Sequence, residues 1–299
     1  MRVFVTGSTG YIGSRVCARL SSDGTSVAGL ARSTVGAQKL EQLGVEARRG
    51  DLTHIESVVD AAADADAIIH IPASHDFAGG ETLDRALTQA LLDSLEGTDK
   101  AFVYTSGARV YGDTHGTAVN EDAPLDPPAS LRTRVEVEQE VLAAVARGIR
   151  TAVIRPTLTH GRAGSAAMTF LINDLQRNRV ARYVDEGTNA WSFVHVDDLA
   201  DLFALIITRA PAGSLWNGAS GEPVALKALA EAMGTSVGAP AASLPYKDAQ
   251  TAWGEMAAFL RTDMRVDGSK AVNALGWRPH RADVVEEVTS GTYLPLLRA

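Results

Sequence analysis

Short, unbroken apolar runs recur through the first half of the chain. They fall at residues 2–6 (RVFVT), 26–31 (SVAGLA), 45–48 (VEAR), 67–71 (AIIHI), 101–106 (AFVYTS) and 151–155 (TAVIR). Continuous runs, as opposed to alternating ones, suit strands covered on both faces, as in a parallel sheet. Between them the spacing changes to the helical period. Residues 14–22 set Val16, Cys17 and Leu20 on one face, and residues 82–96 do the same with Leu83, Ala86, Leu87, Ala90, Leu91 and Leu95. Gly24, Gly44 and Gly97 follow helical runs, where a left-handed cap is wanted. Repeated β-α-β units imply right-handed crossovers, which predicts an α/β fold, a Rossmann-type doubly wound parallel sheet.

The rhythm weakens after about residue 160. A helix at 165–178, a turn (DEGTNA), a strand at 191–196 (WSFVHV) and a helix at 197–209 follow. Asp197 and Asp198 open that last helix, where acids suit the dipole. Mixed short elements then fill 210–299. The expected division is a nucleotide-binding domain over 1–160, to which 190–210 returns, and a smaller C-terminal substrate lobe making up most of 161–299. No flexible linker separates them, so they are expected to share one cleft.

The strongest motif is Thr6-Gly7-Ser8-Thr9-Gly10-Tyr11-Ile12-Gly13, between the first strand and the first helix. Glycines at this place let the backbone turn tightly and approach a pyrophosphate at a helix N-terminus. Ser14 and Arg15 follow Gly13, so the run is not a Walker A loop. An NAD site usually carries an acid about 20 residues further on, for the ribose hydroxyl. Here the second strand ends in Leu30-Ala31-Arg32-Ser33. No carboxylate repels a 2′-phosphate, and Arg32 offers a fork that binds one. NADP(H) is therefore the expected cofactor. Asp51-Leu52 lies where an adenine would rest; Asp51 either accepts the exocyclic amine or caps a helix.

Composition narrows the function classes. The chain has 299 residues, 45% hydrophobic and 21% charged, ordinary for a folded protein. A net charge of −8 disfavours a nucleic-acid or anionic-membrane partner. The densest basic run, Arg177-Asn178-Arg179 to Arg182, reads as a solvated helix end. The one cysteine, Cys17, lies on an apolar helix face and is expected in the core; it allows no disulfide within the chain. The seven histidines show no metal-ligand spacing, and no metal is expected. The first residues already read as strand and turn, so no signal peptide and a cytoplasmic location are the expectation. Apolar runs such as 202–207 are far too short to span a membrane.

Several segments together resemble the extended short-chain dehydrogenase/reductase family, also called the NAD-dependent epimerase/dehydratase family. They are TGSTGYIG at 6–13, Asp51-Leu52, IIHIPA at 68–73, TSGARVYG at 105–112, NEDAPLDPP at 120–128, Arg155-Pro156, FVHVDDLA at 193–200 and SKAVNALGWRP at 269–279. The resemblance implies that Thr6, Gly7, Gly10, Tyr11, Ile12 and Gly13 hold the pyrophosphate. It implies that Ile71, Pro72, Ala73 and Thr105 line the ribose side, and that Pro156 and Thr157 approach the nicotinamide. Arg32, Ser33, Asp51 and Leu52 take the adenosine end. The helices at 82–96 and 131–147 are those through which relatives form homodimers.

The family's catalytic pair, Tyr-x-x-x-Lys, is absent. Four residues after Tyr11, Tyr104, Tyr111, Tyr183, Tyr246 and Tyr293 stand Arg15, Ala108, His115, Gly187, Gln250 and Leu297. With VEQ at 137–139 as register, the Tyr position falls on Ser130 and the Lys position on Arg134. With VYG at 110–112 as register, the Ser/Thr position falls on Gly107, beside Ser106. A serine hydroxyl is far less acidic than a phenol, and arginine is a poor proton donor but a good anion clamp. Arg134 is a candidate for the ribose or a substrate oxyanion; Arg132 and Arg134 pairing with Glu136 and Glu138 is the alternative. Ser106 and Tyr111 are the other catalytic candidates. Arg109 is placed to bind an anionic substrate group. His75 and His160, just past strand ends, are candidate proton shuttles. Trp191, Phe193 and His195 either border the pocket or pack a strand. The glycine pair closing PASHDFAGG suggests a mobile loop.

The expected activity is an NADPH-dependent reductase of a small organic carbonyl, imine or activated alkene, working without the standard Tyr/Lys acid. Two alternatives stay open: an epimerase, dehydratase or isomerase with no net redox, and a non-catalytic NADP-sensing protein.

Overall fold

The computed structural model describes residues 1–72 and 80–299. Strand β1 (Arg2–Val5) leads to α1 (Tyr11–Ser22), then β2 (Ser26–Ala31), α2 (Thr34–Gln42), β3 (Glu46–Arg49) and α3 (Ile55–Ala62). After β4 (Ala67–His70) come α4 (Gly80–Leu95), β5 (Ala101–Thr105), α5 (Arg132–Ala143) and β6 (Arg150–Pro156). Next are β7 (Leu158–His160), α6 (Ala166–Asn178), β8 (Ala181–Val184), β9 (Ala190–His195) and α7 (Val196–Arg209). The chain continues through β10 (Ser214–Gly218), β11 (Ser220–Ala225), α8 (Leu226–Val237), β12 (Ala241–Leu244), α9 (Tyr246–Trp253) and α10 (Glu255–Arg261). It ends with α11 (Ser269–Leu275), α12 (Val284–Thr289) and α13 (Leu294–Arg298).

The main sheet has seven parallel strands in the order β10-β6-β5-β4-β1-β2-β3. Its inner strands are buried on both faces, which is why they read as unbroken apolar runs, whereas the edge strand β3 (EARR) is exposed or half-buried throughout. Val3 and Val5 pack with Val16, Cys17 and Leu20 of α1 and with Leu199 and Phe203 of α7. Phe4, Ile68, Phe102 and Val153 face the other way, onto Val58, Leu91 and Val141 of α3, α4 and α5. The period-two alternation of a strand thus supplies two cores. Gly24, Gly44 and Gly97 take positive φ at helix ends. The order reverses between β1 and β4, and such a switch point opens the crevice where ligands bind.

The two-part division differs from the expected one at β10. This strand, inside the stretch assigned to the lobe, pairs in parallel with β6 and becomes the edge of the main sheet. A sequence reading sees only a short apolar run there (SLWNG) with no adjoining βαβ pattern. The rest of the lobe holds a three-stranded sheet (β11-β9-β7) and a two-stranded one (β12-β8), so of the expected return at 190–210 α7 packs on the main sheet while β9 pairs within the lobe. They enclose a core of Met168, Leu175, Trp191, Phe193, Met233 and Tyr293. Trp191 and Phe193 therefore pack the strand. Among the described residues no helix is long and apolar enough to cross a membrane.

Candidate active site

Helix α1 starts at Tyr11, three residues earlier than its apolar face suggests, with Gly10 as its N-cap. No side chain caps this end and no acid lies in its first turn. Its leading N–H groups and the positive end of its dipole are thus left for an anion. Gly7 has φ of +61°, and a Cβ there would stand 2.4 Å from the Ile71 carbonyl oxygen. A Cβ on Gly13 would stand 2.2 Å from the Gly7 carbonyl oxygen. Each glycine is therefore fixed by backbone packing, which lets the loop lie flat over the strand ends. Tyr11 reaches from the first turn to the lobe side, donating to the Gly161 carbonyl at 2.8 Å.

A buried polar chain braces this loop. Ile71 N–H donates to Thr6 Oγ1 at 3.0 Å, and that hydroxyl stands 2.7 Å from His70 Nδ1. His70 Nε2 is 2.9 Å from Asp84 Oδ1, and Tyr104 donates to Asp84 Oδ2 at 2.6 Å. Burial pushes the Asp84 carboxyl up, but His70, the Tyr104 hydroxyl and the charge of Arg134 together hold it below its ordinary value. Burial and the Asp84 charge push the Tyr104 phenol far up.

Where the adenosine is expected, a cavity of about 580 Å³ is lined by Arg32, Arg49, Gly50, Asp51, His54, Ser57 and two further acids, Glu56 and Asp60. Arg32 is exposed, and Ser33 caps α2 by accepting from Gly36 N–H at 3.1 Å. Arg49 pairs in register with Ala31 across β2 and β3, so two guanidinium groups flank the end of β2. Asp51 takes a tight turn, accepting from the N–H and hydroxyl of Thr53 at 3.0 and 2.9 Å. Those bonds hold its carboxyl below its usual range. Leu52 lies beside it, half-buried.

A second cavity, about 230 Å³, opens where β5 and β6 end. Gly107, Ala108 and Arg109 form one wall, and Leu131 and Arg134 another. Pro156, Thr157, Leu158 and Thr159 form the floor, and Met264 of the lobe closes it. Arg134 is 9% exposed, donates through Nη1 to the Ser106 carbonyl at 3.2 Å, and leaves its Nε unpartnered among the described residues. The Thr105 and Ser106 hydroxyls are likewise buried without partners. Buried polar atoms of this kind are normally satisfied by an ordered water, an ion or a ligand. Thr157 spends its hydroxyl proton on the Gly218 carbonyl at 2.8 Å.

The remaining candidates separate from this cavity. Tyr111 is buried, donates to Asn217 Oδ1 at 2.8 Å and carries the Arg155 guanidinium 4.8 Å over its ring. Ser130 is exposed and does not line the cavity. Arg134 does not pair with Glu138; that carboxylate is taken by Arg155, whose Nε lies 3.1 Å from both its oxygens. His160 is buried against His195 with Nδ1 unpartnered among the described residues, and burial and the His195 charge push its pKa down to about 3. Ala73, His75 and the glycine-paired loop lie outside the described residues, apart from Gly80, which opens α4. Asp198, Asp201 and His280 cluster at the start of α7. There the His280 and Arg281 N–H groups and Arg19 already occupy the carboxylates.

Three participants are not evident in the linear sequence. Arg49 follows from the β2/β3 register. Asp84 carries a usable signal, an acid in line with Leu87 and Leu91 on an otherwise apolar helix face. Met264 carries none, since a lobe loop delivers it.

The glycine cradle, the uncapped helix and the orphan hydroxyls fit a dinucleotide lying across the switch point. Comparison with known proteins agrees. The model of the NAD dependent epimerase/dehydratase family matches residues 3–217. A Saccharomyces cerevisiae protein, YLL056C, is 33% identical over 96% of this chain and 98% of its own. A Stigmatella aurantiaca 4-hydroxy-2-methyl-3-oxo-4-farnesyl-3,4-dihydroquinoline-1-oxide ketoreductase is 30% identical over 84% of this chain and 78% of its own. Among solved structures, a double mutant of the dTDP-glucose 4,6-dehydratase DesIV from Streptomyces venezuelae, with NAD bound, superposes with a TM-score of 0.79. It covers 100% of this chain and 97% of its own at 20% identity, which shows the fold. With the family match spanning the whole sheet, the chain belongs to the NAD-dependent epimerase/dehydratase family, the extended short-chain dehydrogenases/reductases.

Proposed function

We propose that the protein is an NADP(H)-dependent reductase of a small organic carbonyl, imine or activated alkene. The observation that carries this reading is the makeup of the smaller cavity. Its described lining holds two arginines and no carboxylate, phenol or amine. Epimerisation through transient oxidation needs a base for the hydroxyl proton as hydride leaves carbon, dehydration needs one for a carbon-bound proton, and none of those lining residues is such a base. Reducing a carbonyl instead needs stabilisation of charge growing on oxygen, which a desolvated guanidinium supplies.

A nicotinamide bound there supplies the hydride. Arg134 holds the substrate oxygen, with Ser106 as the adjacent free hydroxyl, and the apolar contacts of Leu131, Leu158 and Met264 exclude bulk water. The oxygen takes its proton from solvent at the cavity mouth, so hydride and proton together give the alcohol. An iminium substrate needs less, because it already carries the charge that a ketone gains only by protonation. The ketoreductase named among the relatives supports the carbonyl class.

Preference for the 2′-phosphate rests on Arg32 and Arg49 flanking the end of β2. The test is NADPH and NADH consumption against a ketone, a cyclic imine and an enone. The expected result is turnover of one class with NADPH, and a fall in NADPH-over-NADH preference of roughly 10–100-fold in Arg32→Ala, as for loss of one or two charge-assisted bonds. Cofactor binding without preference for NADPH overturns the NADP(H) assignment. NADPH binding with no turnover of any class counts against the reductase.

A further inference from the structure

We infer that the smaller cavity selects substrates carrying a negatively charged group in addition to the reacting one, with Arg109 as the residue that reads it. This names a substrate class for the site described above and rests on that site being the substrate pocket. Arg109 stands on the short turn after β5, two residues beyond Gly107, and lines the same cavity as Arg134. Its guanidinium lies 4.6 Å over the ring of Phe259, and Phe259 in turn packs on Trp191 with centroids 4.9 Å apart. Stacking on an aromatic platform fixes the fork while leaving its five N–H donors free. Among the described residues no acceptor and no carboxylate pairs with Arg109, whereas arginines such as Arg15, Arg19, Arg85 and Arg155 are all paired with carboxylates.

The electrostatics point the same way. Arg134 is buried with an unpartnered Nε, and no carboxylate lines the cavity among the described residues. Asp84 interacts with Arg134 by charge, but its two oxygens are occupied by His70 and Tyr104. Two guanidinium groups in one small cavity repel each other and lose hydration, a cost that an anion offsets. One arginine suffices for the reacting oxygen. The second, held on its platform toward solvent, matches a separate carboxylate or similar anion, which it binds in bidentate fashion. The charge-poor remainder (Ala108, Leu131, Leu158, Met264) accepts only a short apolar spacer between the two.

The experiment compares pyruvate, 3-oxobutanoate and 4-oxopentanoate with their methyl esters, in wild type and Arg109→Gln. Binding to the NADP⁺-loaded protein is read by calorimetry, and reduction by NADPH consumption. The expected result is at least tenfold tighter binding of one acid over its ester, with that ratio falling tenfold or more in Arg109→Gln and partly restored in Arg109→Lys. NADP⁺ titration of each variant reports that the fold is intact. Equal binding of acid and ester, or a ratio unmoved by Arg109→Gln, overturns the inference even where reduction proceeds. Acid-selective binding that Arg109→Gln erases, with no turnover of any acid, sustains the anion site and removes the reductase reading instead.

Discussion

Thr6 Oγ1 and His70 Nδ1 lie 2.7 Å apart and tie the last residue before the glycine loop to the end of β4. Asp84 is ionised and can only accept, so His70 Nε2–H donates to it; in the neutral ring Nδ1 then accepts the Thr6 hydroxyl proton, while Thr6 Oγ1 accepts the Ile71 N–H. Asp84, ionised at neutral pH, thereby fixes the geometry on which both sides of the switch point depend. Asp84→Asn is expected to destabilise the protein by about 1.5–3 kcal/mol, the range for a hydrogen bond to a charged group. It should also weaken NADPH binding severalfold. Urea unfolding with and without NADPH checks both; unchanged affinity shows that the chain supports only the fold.

The glycine loop gives a graded series. A Cβ on Gly10 meets the Gly7 carbonyl at 3.1 Å, a contact that a small shift relieves. On Gly13 the same atom is met at 2.2 Å, inside the turn that joins strand to helix. Gly13→Ala is therefore expected to lower NADPH affinity by at least tenfold, and Gly10→Ala by clearly less. Fluorescence titration of NADPH orders the two. Equal losses show that the free N–H groups, and not the close approach, govern binding.

Tyr111 separates chemistry from packing. Its hydroxyl is committed to Asn217, and burial raises its pKa despite the opposing Arg155 charge. Tyr111→Phe is expected to cost about 1 kcal/mol of stability, a net hydrogen bond, and to leave reduction intact. Loss of turnover with unchanged stability gives Tyr111 the catalytic role after all.

The fold was legible where local rules and global packing coincide. Residues 2–6 and 26–31 are unbroken apolar runs because both faces of the sheet are covered, and the structure places strands there with ends shifted by at most one residue. Gly7, Gly10 and Gly13 were legible because a strand and a helix bracket them. The smaller cavity was legible only in part. Arg134 stands out at the family's lysine position and Arg109 as a charge near Ser106, but their shared cavity arises from the meeting of β5, β6 and a lobe loop. Nothing in the spacing of Met264 or Phe259 along the chain shows that the first closes it and the second carries the Arg109 guanidinium. The Arg134–Glu138 pairing fails for a similar reason. Helical spacing brings the two together, and Arg155, from a distant strand, takes the carboxylate with a better fork.

His160 carries a pH signature. It is buried beside Phe193 and His195, with ring centroids 5.8 and 5.4 Å away, and Nδ1 has no partner among the described residues. Burial first, and the His195 charge second, hold its pKa at about 3 against a weak opposing pull from Asp283. In the unfolded chain the same imidazole titrates near ~6.5. The unfolded state therefore binds the extra proton as acid is added. The stabilisation is complete above pH ~6.5 and is lost progressively as pH falls toward the folded value. One such proton gives a slope of about 1.4 kcal/mol per pH unit below the unfolded value. His195, also lowered by burial, adds to the wild-type slope, so a difference between proteins isolates His160. His160→Gln, which cannot take the proton, is expected to lose stability less steeply than wild type between pH 6.5 and 5 by about one proton. Urea unfolding across that interval measures the two curves, and parallel curves show that acid reaches the ring in the folded protein.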